Sequence, residues 1–127
     1  MGLRFLKLAV VYLFAGALLG LIMGMKENFA MVPVHAHMLL LGWASLALAG
    51  LIYHFYPAAS LTRLAQWHFW LHNLALPAFL VGLGTLVTGH AAALPVVAVS
   101  STCIVVSLGL FASNVLIHLN AKSGARL

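Results

Sequence analysis

Four long apolar stretches, separated by short connectors, constrain the fold of this 127-residue chain more than any other feature. They span residues 4–25, 33–57, 64–89 and 94–119, and each is longer than the about 20 apolar residues that cross a bilayer. Because backbone amides in lipid must be hydrogen-bonded internally, each stretch is predicted to be a helix. The sequence therefore predicts an all-α, polytopic membrane protein in which residues 1–127 form a single four-helix transmembrane domain.

The connectors, residues 26–32, 58–63 and 90–93, are short, and this favours antiparallel neighbours in an up-down bundle. Composition excludes other classes, because 65% of the residues are hydrophobic and only 6% are charged. That balance excludes an ordinary soluble domain and a disordered chain. No nucleophile–base pair, phosphate loop or paired carboxylate supports hydrolase or transferase chemistry, and nothing supports nucleic-acid binding.

Charge predicts the orientation of the helices. Six Lys or Arg residues face a single acid, Glu27. In a four-span arrangement Lys26 falls on one side of the membrane, and the other five basic residues share the opposite side: Arg4, Lys7, Arg63, Lys122 and Arg126. The positive-inside rule then places both termini in the cytoplasm, which predicts a multi-pass protein of the bacterial inner membrane in contact with lipid. The alternative for residues 4–25 is a cleaved signal peptide.

Local signals refine this interpretation. Pro77 lies inside the third stretch, where it is expected to kink the helix and free the carbonyl of Asn73. A ladder of glycines at four-residue spacing allows another helix to approach closely, either within the bundle or between copies: Gly16, Gly20 and Gly24. Aromatic residues around the 58–63 connector indicate an interfacial belt: Tyr53, Phe55, Tyr56, Trp67 and Trp70.

Seven histidines are the chemical anomaly of so apolar a chain, because polar side chains in a bilayer are costly and tend to be functional. His35 and His37 are two positions apart, about 200° around a helix, so they face opposite sides and serve different partners. A helix with imidazoles on both faces suits a wall between two cofactor pockets. The alternative is that one ring hydrogen-bonds within the bundle and the other binds nothing.

A second histidine group lies near the 58–63 connector. His68 and His72 have the i, i+4 spacing of metal ligands. With His54 and His118 at similar depth, they are a candidate copper or zinc site. The alternative is that they are wet histidines at the level of the lipid headgroups. His90, in another connector, is expected at the surface.

The motifs in residues 33–57 resemble the tenth helix of haem–copper oxidase subunit I, closest to the C-family and nitric oxide reductase-like members. That helix carries a His-x-His pair, Leu-Gly-Trp and an aromatic-His end before proline. The corresponding residues here are His35-Ala36-His37, Leu41-Gly42-Trp43 and Tyr53-His54. Trp67-His68-Phe69-Trp70 is similar to the opening of the family's eleventh helix. The first and fourth stretches match the ninth and twelfth helices only in hydropathy.

This resemblance implies that His35 and His37 are axial ligands of haem, most simply haem b. Phe29, Met38 and Trp43 are candidate pocket walls. The chain lacks counterparts of the family's copper ligands, its second low-spin haem ligand and its active-site tyrosine. A single chain is therefore not expected to act as a complete terminal oxidase, and whether it has any enzymatic turnover is left open.

An oligomer would supply the missing haem ligands. The family's subunit looks like three four-helix arcs around a pseudo-threefold axis, and this chain resembles one arc. A homotrimer, or a dimer with fewer haems, would then serve electron transfer with a redox partner or bind a diatomic gas such as NO or O2. The alternatives are a copper- or zinc-binding oxidase-assembly protein without haem, and a structural accessory subunit without any cofactor.

Overall fold

The computed structural model describes residues 1–119; Lys122 and Arg126, which contribute to the predicted orientation, lie outside the described residues. The prediction of an all-helical chain with four long apolar helices is confirmed. These are α1 (Gly2–Lys26), α2 (Val32–Phe55), α3 (Arg63–Val87) and α4 (Leu94–His118). All four are long and apolar enough to cross a membrane. The connectors add one helical turn, Pro57–Ser60, and a 3-10 turn, Ala91–Ala93.

The helix ends follow local chemistry and differ slightly from the predicted bounds. α2 ends at Phe55 rather than at Pro57, because the residue before a proline is pushed out of the helical region and Tyr56 has φ −122° and ψ 78°. α3 ends at Val87, shortly before Gly89, whose φ of 96° suits glycine. Thr62 caps the start of α3 by accepting a hydrogen bond from the amide of Ala65 at 3.0 Å.

α3 runs without a break through Pro77. Proline has no amide proton, so the carbonyl of Asn73 loses its usual donor one turn later. The side chain of Asn73 bonds instead toward the preceding turn, with Nδ2 donating to the carbonyl of Phe69 at 2.7 Å. Its Oδ1 is buried and accepts no hydrogen bond from residues 1–119.

The four helices form two tightly packed antiparallel hairpins, α1–α2 and α3–α4. Small residues permit this closeness. A Cβ on Gly2 would lie 2.5 Å from the carbonyl oxygen of Gly50, and a Cβ on Gly82 would lie 3.1 Å from Val97. The antiparallel order places the 56–62 connector at one end of the bundle, here called the one-connector end. The connectors 27–31 and 88–93 lie at the other, the two-connector end.

The glycine ladder of α1 is accounted for by packing inside the bundle at two of its three positions. Gly16 faces Leu39, and Gly20 faces the ring of His35, both on α2. At Gly24, no neighbouring group of residues 1–119 lies within 4 Å of the position of a Cβ. The ladder therefore brings α1 onto the face of α2 that carries His35.

Aromatic rings fill the space between the hairpins near the one-connector end. The ring of Phe5 from α1 stacks on His68 from α3 at a centroid distance of 4.9 Å. Phe111 from α4 lies 5.0 Å from the same ring. Tyr53 is buried here, at 2% exposure, so its predicted place in an interfacial belt is wrong: its ring packs against Phe5 and Phe111. Phe55, Trp67 and Trp70 remain exposed.

Candidate functional site

His35 lies against α1, in the space that glycines leave. Its Nδ1 is 2.9 Å from the carbonyl oxygen of Gly16. The ring also covers Gly20, where a Cβ would approach Cε1 to 2.8 Å. Because a carbonyl can only accept, Nδ1 of His35 is the donor and carries the proton. The ring is thus fixed against α1 with one nitrogen occupied.

His37 points to a different neighbour. Its ring lies edge-on to Phe79 of α3, with centroids 5.1 Å apart. His37 borders a groove of about 360 Å³ between α2 and α4, with α3 as a third wall. The other lining residues are apolar except for one serine: Leu40, Leu41, Phe79, Ser101, Ile104, Val105 and Leu108. The two histidines therefore contact different helices, as their spacing predicts.

His35 and His37 share one protonation pattern. Nδ1 of His37 donates to the carbonyl of Pro33 at 2.7 Å, as Nδ1 of His35 does to that of Gly16. In each neutral ring Nε2 then keeps its lone pair, and Nε2 makes no hydrogen bond within residues 1–119. Histidines that bind metals commonly donate their second ring N–H to a backbone carbonyl or a carboxylate. Both rings are held in a form that can act as a ligand through Nε2.

The candidate pocket walls are placed elsewhere. Phe29 lies in the first connector and is 61% exposed. Trp43 packs on the core near Phe5, and Met38 packs on the core around Phe79. None of the three is among the residues that line the groove at His37.

His68 belongs to a buried polar cluster between the hairpins. The hydroxyl of Tyr53 lies 3.1 Å from its Nδ1. Asn114 donates through Nδ2 to the Tyr53 oxygen at 3.4 Å and to the carbonyl of Ala59 at 2.9 Å. Since Tyr53 accepts from Asn114, its own proton is directed to His68. Nδ1 of His68 is then the acceptor, and the proton of the neutral ring lies on Nε2.

The cluster reaches the one-connector end through Thr62. Its hydroxyl lies 2.9 Å from Oδ1 of Asn114 and 3.1 Å from the carbonyl of Ala59. Because Thr62 also caps α3, one side chain fixes the start of that helix and orients Asn114. The polar groups therefore extend from the connector into the middle of the bundle.

His72 is fully buried and has both nitrogens occupied. Its Nε2 lies 3.1 Å from the carbonyl oxygen of Leu41 on α2, so Nε2 is the donor. Its Nδ1 lies 3.1 Å from the hydroxyl of Ser107 on α4, which also reaches the carbonyl of Ile104. His72 consequently links three helices.

The predicted second metal site is not assembled within residues 1–119. The rings of His68 and His72 are neighbours, 5.7 Å apart, but both carry the proton on Nε2 and hold other partners. His54 is exposed, and His118 bonds back to the carbonyl of Asn114. Among the described residues no three His, Cys, Asp or Glu side chains are grouped to hold a metal ion.

Two of these histidines are buried rather than wet, so the headgroup-level alternative does not hold for them. His68 and His72 are 1% and 0% exposed, because they fill the seam between the hairpins rather than the surface. His90 is exposed, as predicted.

The sequence interpretation missed the polar partners of these histidines, although α4 carries a signal for them. Ser100, Ser107 and Asn114 recur every seven residues, which places them on one stripe of a helix. All three are buried. A heptad-spaced polar stripe on an apolar helix indicates a polar contact with a neighbouring helix.

No family model, curated protein or solved structure matches this chain. The resemblance to haem–copper oxidase subunit I therefore depends on the sequence motifs alone.

Proposed function

We propose that this protein binds b-type haem in the membrane through His35 and His37 and transfers electrons as a homo-oligomer. One observation carries the proposal. Both rings donate Nδ1–H to a backbone carbonyl, so the lone pair of each neutral ring lies on Nε2. This is the form of histidine that binds iron.

The surroundings of His37 also support the binding of haem. The groove offers one imidazole and an otherwise apolar wall, apart from the hydroxyl of Ser101. Pockets for large cofactors have this character: mostly apolar, with few polar groups that fix orientation. When bound by two imidazoles, a haem supplies one-electron transfer. His37 would hold the group, and Phe79 and Ile104 would exclude water from it.

The opposite placement of the two rings supports an oligomer. His35 contacts α1 and His37 faces α3 and α4, so one chain does not offer both imidazoles to one iron. In a homotrimer, His37 of one copy and His35 of the next would share each haem, giving one haem per chain. A dimer would hold fewer haems than chains.

The proposed setting is the bacterial inner membrane. The described basic residues divide unequally, with Arg4, Lys7 and Arg63 near the one-connector end and Lys26 at the other. By the positive-inside rule the one-connector end is cytoplasmic. His35 and His37 then lie toward the outer face, where a redox partner would meet the oligomer.

The test is an absorption spectrum of detergent-purified protein expressed with haem supplied, recorded oxidised, reduced, and reduced with carbon monoxide. We expect a reduced b-type spectrum that carbon monoxide does not change, and loss of that spectrum in His35→Ala and in His37→Ala. The matched controls are His54→Ala and His90→Ala, because both side chains are exposed and distant in sequence from the pair. Both controls should keep the wild-type spectrum.

Three outcomes would change the proposal. A spectrum that shifts with carbon monoxide would replace electron transfer by binding of a diatomic gas at an open axial position. A haem-to-chain ratio of one half, with a dimer by size in detergent, would overturn the trimer. A colourless protein that retains copper or zinc would overturn haem binding in favour of a metal-handling protein.

A further inference from the structure

Directly after His37, α2 changes from α-helix to π-helix over Met38–Ala44. In an α-helix the amide of Ser45 would bond to the carbonyl of Leu41, four residues back. Here that amide donates to the carbonyl of Leu40, five residues back. The hydroxyl of Ser45 donates to the same carbonyl at 2.9 Å. The carbonyl of Leu41 thus loses its α-helical donor.

His72 provides the replacement donor for the carbonyl of Leu41. Its Nε2 donates to the carbonyl of Leu41 at 3.1 Å, across the seam from α3. The ring is 0% exposed, so no water competes for this carbonyl from that side. On the opposite side of the ring, the hydroxyl of Ser107 lies 3.1 Å from Nδ1.

The π-helical segment sets where the two upstream histidines point. A π-turn is equivalent to one extra residue in an α-helix. Conversion of the segment to α-helix would turn His35 and His37 by roughly one residue, about 100°, relative to Ser45–Phe55. His35 would then leave the space over Gly20, and His37 would leave its groove.

We propose that His72 is a positioning residue for His35 and His37. By donating to Leu41, it holds the π-helical segment and with it the direction of both rings. This inference rests on the proposed function only for its haem readout, because the link between His72 and Leu41 exists in the chain without any cofactor. Single π-turns inside α-helices are frequent at functional sites.

Three variants distinguish the contributions of the two ring nitrogens of His72. His72→Gln keeps a donor near the position of Nε2, whereas His72→Leu removes it. Ser107→Ala is the matched control, because it removes only the partner of Nδ1. In haem-free protein we expect amide hydrogen exchange over Met38–Ala44 to rise about threefold in His72→Leu, the factor that corresponds to a typical interhelical hydrogen bond. His72→Gln should restore most of the protection, and Ser107→Ala should change it little.

The haem readout tests positioning rather than folding. In haem-loaded protein, His72→Leu should alter the reduced spectrum or open it to carbon monoxide, and His72→Gln should return it toward wild type. Equal exchange in His72→Leu and wild type would overturn the inference, as would equal effects of His72→Leu and Ser107→Ala. If the wild type binds no haem, the proposed function fails, while the exchange measurement still decides the role of His72.

A measurement on the wild type covers the case in which His72→Leu does not fold. With ¹⁵N on the histidine rings and ¹³C on the leucine carbonyls, solid-state NMR of the reconstituted protein reports the nitrogen–carbonyl contact directly. A dipolar contact between Nε2 of His72 and the carbonyl of Leu41 is expected. Its absence would overturn the inference.

Discussion

The hydroxyl of Tyr53 lies 3.1 Å from Nδ1 of His68, where the α1–α2 hairpin meets the α3–α4 hairpin. This contact places the ring proton of His68 on Nε2, whereas His35 and His37 carry theirs on Nδ1. Histidine is therefore held in two different ways in this chain. His68 bonds through Nδ1 as an acceptor, whereas His35 and His37 bond through Nδ1 as donors.

Tyr53→Phe should lower the free energy of unfolding by about 0.6 kcal/mol, and at most by about 1.7 kcal/mol, the range of interhelical hydrogen bonds in membrane proteins. The loss follows because His68 and Asn114 both lose a buried partner. Unfolding in mixed detergent and SDS measures it. Tyr12→Phe removes the same atom from a hydroxyl that makes no hydrogen bond within residues 1–119, and it should have little effect.

Replacement of both partners should cost less than the sum of the single replacements. His68→Phe alone leaves the Tyr53 hydroxyl buried without its acceptor, which costs about 1–3 kcal/mol. In Tyr53→Phe/His68→Phe the hydroxyl donor and its acceptor are removed together, so only Asn114 loses a partner. A phenylalanine ring also fits the stack between Phe5 and Phe111. The coupling is read from a double-mutant cycle. Strictly additive losses would contradict a direct link between the two side chains.

Thr62→Ala should destabilise the bundle by about 1 kcal/mol through loss of the α3 cap. A further loss is expected because Asn114 loses the donor to its Oδ1. Thr62→Ser keeps the hydroxyl and should remain close to wild type. Thermal unfolding in detergent, followed by circular dichroism, separates the two variants. Similar unfolding of Thr62→Ala and wild type would argue against both contacts.

Gly20→Ala should displace His35, because the added Cβ would lie 2.8 Å from Cε1 of the ring. We expect weaker haem retention in that variant and a changed NMR shift for the His35 ring. Gly24→Ala is the matched control on the same helix, since no neighbouring group in the described part of the chain lies within 4 Å of its Cβ position. That variant should keep the wild-type behaviour and gain up to about 1 kcal/mol from helix propensity. Equal behaviour of the two variants would contradict the packing of His35 on α1.

The helices could be predicted from the sequence because their signal is strong and local. Long apolar stretches ended by Pro57, Gly89 and Thr62 leave little freedom in where each helix starts and stops. The π-helical segment could not be predicted, because it depends on a donor from a distant helix. No residue in Met38–Ala44 indicates that the carbonyl of Leu41 accepts a hydrogen bond from His72.

The candidate site was predictable only in part. The spacing of His35 and His37 gives opposite faces by helix geometry alone, and their contacts with α1 and α3 follow that rule. The role of His68 and His72 could not be read from their spacing, because i, i+4 suits a metal site and a helix contact equally well. Which of the two roles applies depends on the residues that face His68 and His72 from the other helices. Here these are Tyr53, Leu41 and Ser107.

The seam between the hairpins also has a consequence for the order of events during biosynthesis. While only the α1–α2 hairpin has been synthesised, the hydroxyl of Tyr53 has neither His68 nor Asn114 beside it. In an apolar environment a hydroxyl without a hydrogen-bond partner is unfavourable. Tyr53 gains its partners only when the second hairpin packs against the first. Two halves of the chain, divided between Pro57 and Thr62 and expressed together, should therefore associate. Each half expressed alone should be degraded as an incompletely folded protein.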